Sequence, residues 1–149
     1  MAITIRPARQ EDQQTIVSFV RQAKINPRNL HWERFLVAEQ NGNVVGIRQV
    51  RIHPEGTREV ASGFVLPEYR NQGISARLMN EILAREKGPL YSLIDQKWLS
   101  YYEQFGFRRV DVKELPFDFR KEYRIGRIVT SLLSLFRKDK IQVIPLKRE

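Results

Sequence analysis

Arg70, Gly73, Ser75 and Ala76 are the residues whose types and spacing could hold a diphosphate. They stand in Val65-Leu66-Pro67-Glu68-Tyr69-Arg70-Asn71-Gln72-Gly73-Ile74-Ser75-Ala76-Arg77-Leu78-Met79, which reads as a strand, a turn, and a glycine ahead of a helix. The first turn of a helix has N–H groups without intrahelical partners, beside the positive end of the helix dipole. Gly73 lets the backbone approach a ligand closely, Ser75 and Ala76 keep the way in open, and Arg70 adds a cation. The plainer alternative is that Gly73 makes a tight turn and nothing more. Two other nucleotide-binding patterns fail. There is no first glycine of G-x-G-x-x-G, and no Lys-Ser or Lys-Thr follows Gly73.

Composition narrows the chemistry around that loop. The 149 residues hold no cysteine, which excludes a disulfide framework, thiolate metal sites and a covalent cysteine intermediate. With only His31 and His53, a histidine-rich metal centre is not expected, and no metal is assigned. Apolar residues at 42% and charged residues at 29% give a globular composition, long enough for one domain. The longest apolar stretch, Ile128 to Phe136, is interrupted by Thr130, Ser131 and Ser134 and falls short of a membrane span. Met1 to Arg6 reads as a strand and not as a signal peptide, so the expected compartment is the cytoplasm. The net charge is +9, from 26 Lys and Arg against 17 Asp and Glu. Residues 108–149 carry 12 of the basic and 6 of the acidic side chains, so the excess gathers in the C-terminal third. Such a surface attracts phosphates of any kind.

The elements that must position the loop follow from pattern. Ile3 to Arg6 alternates as a strand ended by Pro7, and Asp12 is placed to cap a helix carrying Ile16, Phe19, Val20 and Ala23. Phe35 to Gln40 and Val44 to His53 read as strands joined by the hairpin signal Asn41-Gly42-Asn43. Thr57 to Leu66 is a fourth strand, followed by a helix bearing Leu78, Met79, Ile82 and Leu83 that Gly88-Pro89 stops. Then come a strand at Leu90 to Ile94, a short helix at Trp98 to Gln104 and a strand at Phe107 to Val112. Phe119 to Arg137 is helical in pattern, with Ile125, Ile128, Val129, Leu132, Leu133 and Phe136 on one face, and Ile141 to Leu146 is a closing strand. The fold class expected is α/β (α+β), one mixed domain over 1–149.

Arg70-x-x-Gly73-x-Ser75, preceded by Val65-x-Pro67-Glu68-Tyr69, resembles the coenzyme A-binding motif of the GNAT acetyltransferase superfamily. The family pattern is Arg or Gln, two residues, Gly, one residue, then Gly or Ala, and Ser75 departs from it at the last position. Tyr102-Glu103-Gln104-Phe105-Gly106-Phe107 resembles the family's second signature, Tyr-x-x-x-Gly-Phe at a helix-to-strand junction. Arg6-Pro7-Ala8 and Asp12 are similar to its opening strand and helix cap. The resemblance covers about residues 3–112. It implies a central mixed sheet of about six to seven strands flanked by helices, with the amphipathic helix at 119–137 as an extra C-terminal feature.

The resemblance further implies acetyl-CoA as donor and a primary amine as acceptor, joined directly in a ternary complex. It puts the pyrophosphate on the amides of Arg70, Asn71, Gln72, Gly73, Ile74, Ser75 and Ala76. It puts the oxyanion donor at the backbone N–H near Val65, with Phe64 and Val65 paired to the pantetheine arm. Tyr102, a phenol at the position of the family's tyrosine, would return a proton to the CoA thiolate. Glu59 stands where related enzymes carry a carboxylate base, and by strict alternation it shares a face with Ala61, Gly63 and Val65 unless a bulge intervenes. The alternatives are a solvated Glu59 and a Tyr102 that packs with Tyr101, Trp98 and Phe105. Asp95 and Trp98 replace the family's common asparagine and alanine, and Trp98 could wall the acceptor side. His31, His53 and Trp32 lie where acceptor loops often form. For the basic C-terminal helix three uses stay open: packing on the sheet or on a homodimer mate, peripheral contact with an anionic membrane, or an acidic partner. Nucleic acid is disfavoured, because no stacking aromatics interleave with the basic residues. Beside the enzyme stand a non-catalytic acyl-CoA-binding module and a basic interaction protein working through that helix.

Overall fold

Alternating apolar strands broken by short turns, then amphipathic helices between further strands, give a seven-stranded mixed sheet in this computed structural model, with strand order β1-β2-β3-β4-β5-β7-β6. The structure describes residues 2–136 and 140–149. The strands are β1 (Thr4–Pro7), β2 (Phe35–Gln40), β3 (Asn43–Ile52), β4 (Arg58–Val65), β5 (Leu90–Asp95), β6 (Arg108–Arg109) and β7 (Val143–Arg148). The α-helices are α1 (Gln13–Ala23), α2 (Ile74–Arg85), α3 (Leu99–Glu103) and α4 (Phe117–Ser134). The chain forms two compact units, residues 1–51 with 60–87 and residues 52–59 with 88–149.

In the first unit β1 runs antiparallel to β2, and β2 to β3. The β2–β3 turn is tight because Asn41 and Gly42 both take left-handed backbone, φ 52° and 79°, the twist that two-residue hairpins favour. Ile16, Phe19 and Val20 of α1 bury one helical stripe against Phe35, Val37 and Ile47. The expected cap is different in kind. The Asp12 carboxylate makes no bond to the first turn of α1; it accepts the Arg9 N–H at 2.7 Å and the Arg6 guanidinium at 2.8 and 3.2 Å. Arg6 is shared with Glu39 at 2.7 Å. Burial pushes the Asp12 carboxyl up, but the Arg6 and Arg9 donors outweigh it and hold it below the usual carboxylate range.

In the second unit β4 meets β5 in parallel at Glu59↔Tyr91, and β7 lies antiparallel between β5 and β6. The strand expected over Phe107 to Val112 is cut to Arg108–Arg109. Asp111 explains this: its carboxylate accepts the Lys113 N–H at 2.9 Å while Glu114 accepts the Asp111 N–H at 2.9 Å, a capping box that bends the chain into a 3-10 turn. Helix α4 starts two residues before its expected start, and Arg137, its expected end, lies outside the described residues. The core of this unit is Tyr91, Val110, Leu115, Phe119 and Tyr123. The side of α4 that enters it is not the one its aliphatic pattern suggests. Phe119 and Tyr123, one turn apart, are buried, whereas Ile128, Val129, Leu132, Leu133 and Phe136 are 45–88% exposed. At about 100° per residue the aliphatic stripe points roughly 130° away from the two aromatics. No helix among the described residues is long and apolar enough to cross a membrane.

Asp118 ties the start of α4 to the β3–β4 hairpin. It accepts the Thr57 hydroxyl at 2.5 Å, the N–H groups of Glu55 and Thr57 at 3.0 and 3.4 Å, and the Phe119 N–H at 2.8 Å. Burial alone would push the carboxyl up; the four donors reverse that and hold it below the usual carboxylate range. Because the folded-state pKa is the lower one, the stability it contributes is complete above the unfolded value of about 3.9 and is lost as pH falls toward the folded value. Asp118→Asn is expected to lower stability at neutral pH by about 3 kcal/mol, a melting-temperature drop of roughly 6–12 °C. In a pH series of thermal melts the gap between wild type and variant should close below about pH 4.

Candidate active site

In the first unit β4 and α2 carry the loop singled out by its sequence. Pro67–Tyr69 makes one 3-10 turn, Asn71 takes φ 62°, Gly73 takes φ 77°, and α2 begins at Ile74. Two left-handed residues in three positions turn the strand abruptly into the helix. No heavy atom lies within 4 Å of where a Gly73 Cβ would stand, so the space in front of the helix is open. Arg70, Asn71, Gln72 and Gly73 are exposed, Ser75 and Ala76 half-buried, and Ile74 is buried. Gly46 of β3 makes room for that burial: a Cβ there would meet Ile74 Cγ2 at 3.2 Å. Arg70 is anchored. Its Nε donates to the Val65 carbonyl at 2.9 Å and its guanidinium lies 5.4 Å from the Phe64 ring centroid. The cation is thereby fixed beside the end of β4.

Arg48 is a functional candidate that sequence reasoning misses. It is 5% exposed, and its guanidinium lies over Gly63, where a Cβ would come within 2.6 Å of Nη2. Nη2 donates to Ser75 Oγ at 3.0 Å. The serine that departs from the expected small residue therefore receives a buried cation at the mouth of α2. The available signal was an arginine inside the apolar run Val44-Val45-Gly46-Ile47-Arg48, paired with a glycine in the interior of the next strand. Beyond Arg48, Gln49 Nε2 donates to Ser62 Oγ at 2.7 Å, and Arg51 Nη2 to the Arg28 carbonyl at 3.4 Å. Ser62 takes φ 57°, which breaks the alternation of β4: Glu59 and Val60 are both buried, and strict parity from Glu59 to Val65 fails.

In the second unit Glu59 is 4% exposed and His53 5%, with His53 Nε2 at 3.1 Å from Glu59 Oε1. The solvated alternative for Glu59 is thus excluded. The edge of His53 meets the Phe119 ring, with centroids 5.4 Å apart. Tyr102 sits on the single turn of α3, half-buried, its ring edge-to-face with Tyr101 and Phe107 at 5.8 and 5.6 Å. Its carbonyl accepts the Phe105 N–H at 3.0 Å, and Gly106 at φ 85° turns the chain into buried Phe107. Arg148 closes this corner by donating to the Phe105 carbonyl at 2.8 Å. Tyr101 packs on Phe105, so the two neighbouring tyrosines have different aromatic partners. Asp95 accepts the Lys97 N–H at 3.4 Å, and Trp98 is 53% exposed with Lys97 Nζ 5.6 Å from its ring. In the first unit His31 is exposed and Trp32 half-buried, the latter's N–H held by Gln13 Oε1 at 2.9 Å.

A family model described as an acetyltransferase (GNAT) domain matches residues 31–109, more than half of the chain. No curated protein matches it in sequence. Among solved structures, N-acetylglutamate synthase from Neisseria gonorrhoeae, complexed with coenzyme A and N-acetyl-glutamate, superimposes with a TM-score of 0.78 at 22% identity. That match covers 99% of this chain and 35% of the synthase, so this chain spans about a third of it. Rv2747 from Mycobacterium tuberculosis, in complex with CoA, gives 0.72 at 20% identity over 97% of this chain and 98% of its own. Arabidopsis thaliana Naa50, in complex with the bisubstrate analogue CoA-Ac-MVNAL, gives 0.65 at 12% over 100% and 99%. At these identities the likeness is one of fold.

The Arg48–Gly63 contact is testable alone. Gly63→Ala pushes the guanidinium off Ser75 and is expected to cost about 1–3 kcal/mol. Arg48→Ala removes the obstacle, so adding Gly63→Ala to it should cost less than half as much. Equal cost in both backgrounds, measured by denaturant unfolding, would show that the two residues are uncoupled.

Proposed function

The chain belongs to the acetyltransferase (GNAT) family, and on that premise we propose that residues 1–149 act as a single-domain cytoplasmic N-acetyltransferase. It moves an acetyl group from acetyl-CoA to a primary amine on a small molecule or a protein, by direct attack in a ternary complex. The observation that carries this reading is the loop ahead of α2: a left-handed Gly73 facing open space, with Arg48 held on Ser75 behind it. The amides of Arg70 to Ala76 receive the pyrophosphate, and the dipole of α2 and the two arginines supply positive potential. Phe64 and Val65 offer the pantetheine arm a strand edge, and the N–H near Val65 steadies the oxyanion that develops on the thioester oxygen.

Two proton movements complete the transfer. The amine nitrogen bonds to the thioester carbon, the carbon–sulfur bond breaks, the amine gives up one proton and the thiolate gains one. A lysine-like amine is about one part in a few thousand neutral at pH 7, so a proton acceptor matters. Glu59 takes that role, and its burial beside His53 makes it the end of a relay through the imidazole. Tyr102 supplies the proton to the thiolate. Its ring packs edge-to-face with Tyr101 and Phe107.

The first test is the melting temperature with saturating acetyl-CoA. At about a hundred times the dissociation constant a rise of roughly 5–10 °C is expected, and Gly73→Glu should abolish it. No rise in the wild type overturns the donor site. Tyr102→Phe is then expected to keep the rise while lowering kcat in a CoA-release assay by about 10²–10⁴. Loss of the rise together with the rate would make Tyr102 a packing residue. A full rise with no CoA release on any amine would mark a binding module.

A further inference from the structure

Independently of acetyl transfer, we propose that the solvent-facing side of α4 docks the protein on an anionic lipid surface. The last buried residue of this helix is Tyr123; everything from Arg124 to Ser134 is half-buried or exposed. Ile128, Val129, Leu132, Leu133, Leu135 and Phe136 crowd into nine positions and are 45–88% exposed. An isolated exposed leucine is ordinary, but six large apolar side chains on consecutive turns form a patch that water solvates poorly.

The polar groups of this helix keep off the stripe: at about 100° per residue Thr130 and Ser134 point roughly 130° and 170° away from it. Thr130 Oγ1 donates to the Gly126 carbonyl at 2.6 Å and Ser134 Oγ to the Ser131 carbonyl at 2.7 Å. Both hydroxyls bond the helix's own carbonyls, so the stripe itself is uninterrupted by them. From Tyr123 to Phe136 there is no acidic residue, whereas Arg124 is exposed at the border of the stripe and Arg127 is exposed on the polar side, its guanidinium 5.9 Å from the Tyr123 ring centroid. In the sequence, residues 120–140 hold seven basic and two acidic side chains. That composition selects the occupant. A second copy laid on the same face would set one basic cluster against another, while a surface of anionic headgroups meets the arginines and takes up the aliphatic stripe together. The helix lies on the surface and does not enter as a span.

The test is sedimentation of the whole protein with phosphatidylcholine vesicles, with and without phosphatidylglycerol. Binding is expected only with phosphatidylglycerol, and high salt should weaken it. Arg124→Glu with Arg127→Glu is expected to weaken partition by roughly thirty-fold or more. Leu132→Glu with Phe136→Glu should abolish it; all four positions are exposed, and an unchanged melting temperature confirms the fold. Failure of the wild type to sediment with anionic vesicles overturns the proposal. So does binding that these variants leave intact. A dimer in light scattering that Leu132→Glu dissociates would overturn it in favour of a second copy.

Discussion

Residues 48–53 of the third strand and the turn after it bury Arg48, Gln49, Arg51 and His53 in a chain that could have filled those places with valine. Taking such groups out of water is costly unless each finds a partner, and much of the surrounding chain is shaped by that requirement. Arg48 needs the bare backbone of Gly63 and the hydroxyl of Ser75. Gln49 needs Ser62, Arg51 reaches the Arg28 carbonyl, and His53 needs Glu59. Replacing such a row by apolar residues of similar volume would often be neutral or stabilising. Stability alone therefore does not call for such a row.

The partners impose conformations in turn. Ser62 sits in left-handed backbone, and that break in β4 separates the parity of Glu59 from that of Phe64 and Val65. In the second unit the start of β4 brings a carboxylate to His53, and in the first unit the end of β4 lies beside the loop that Arg70 anchors. In the second unit the His53–Glu59 pair sits at the base of a hairpin closed by His53 N–H to Thr57 carbonyl at 2.8 Å. Asp118 grips the outside of that turn, and Phe119 presses on the imidazole. Within that unit the first turn of α4 thus holds the hairpin that carries the His53–Glu59 pair.

Much of this was legible in the sequence because it is local. The strands β1 to β3, the Asn41-Gly42 turn, the glycine ahead of α2 and the Tyr102–Phe107 corner each depend on neighbours within a few residues, and each appears where its pattern puts it. What was not legible is what depends on distant pairing. Arg48 and Ser75 are 27 positions apart, Asp118 and Thr57 61 apart, and neither composition nor period announces such contacts. Asp12 shows the intermediate case. It stands at the right place for a helix cap, but Arg6 and the Arg9 N–H compete for its carboxylate, and a charge-assisted bond to a guanidinium prevails over a neutral amide of the helix.

Helix α4 shows why periodicity alone cannot say which face is inside. A 3.6-residue period reports that apolar groups share a side; it carries no information about what lies against that side. Here two apolar sectors compete. Phe119 and Tyr123 fall one turn apart at the start, beside Asp118, and the four hydrogen bonds of that carboxylate fix the helix's rotation before the aliphatic residues are reached. Once the first turn is clamped, a rigid helix has no freedom to turn Leu132 or Phe136 inward. The stripe is left outside by a constraint applied about four turns earlier, so its exposure follows from the anchoring of the first turn and not from any lack of apolar character.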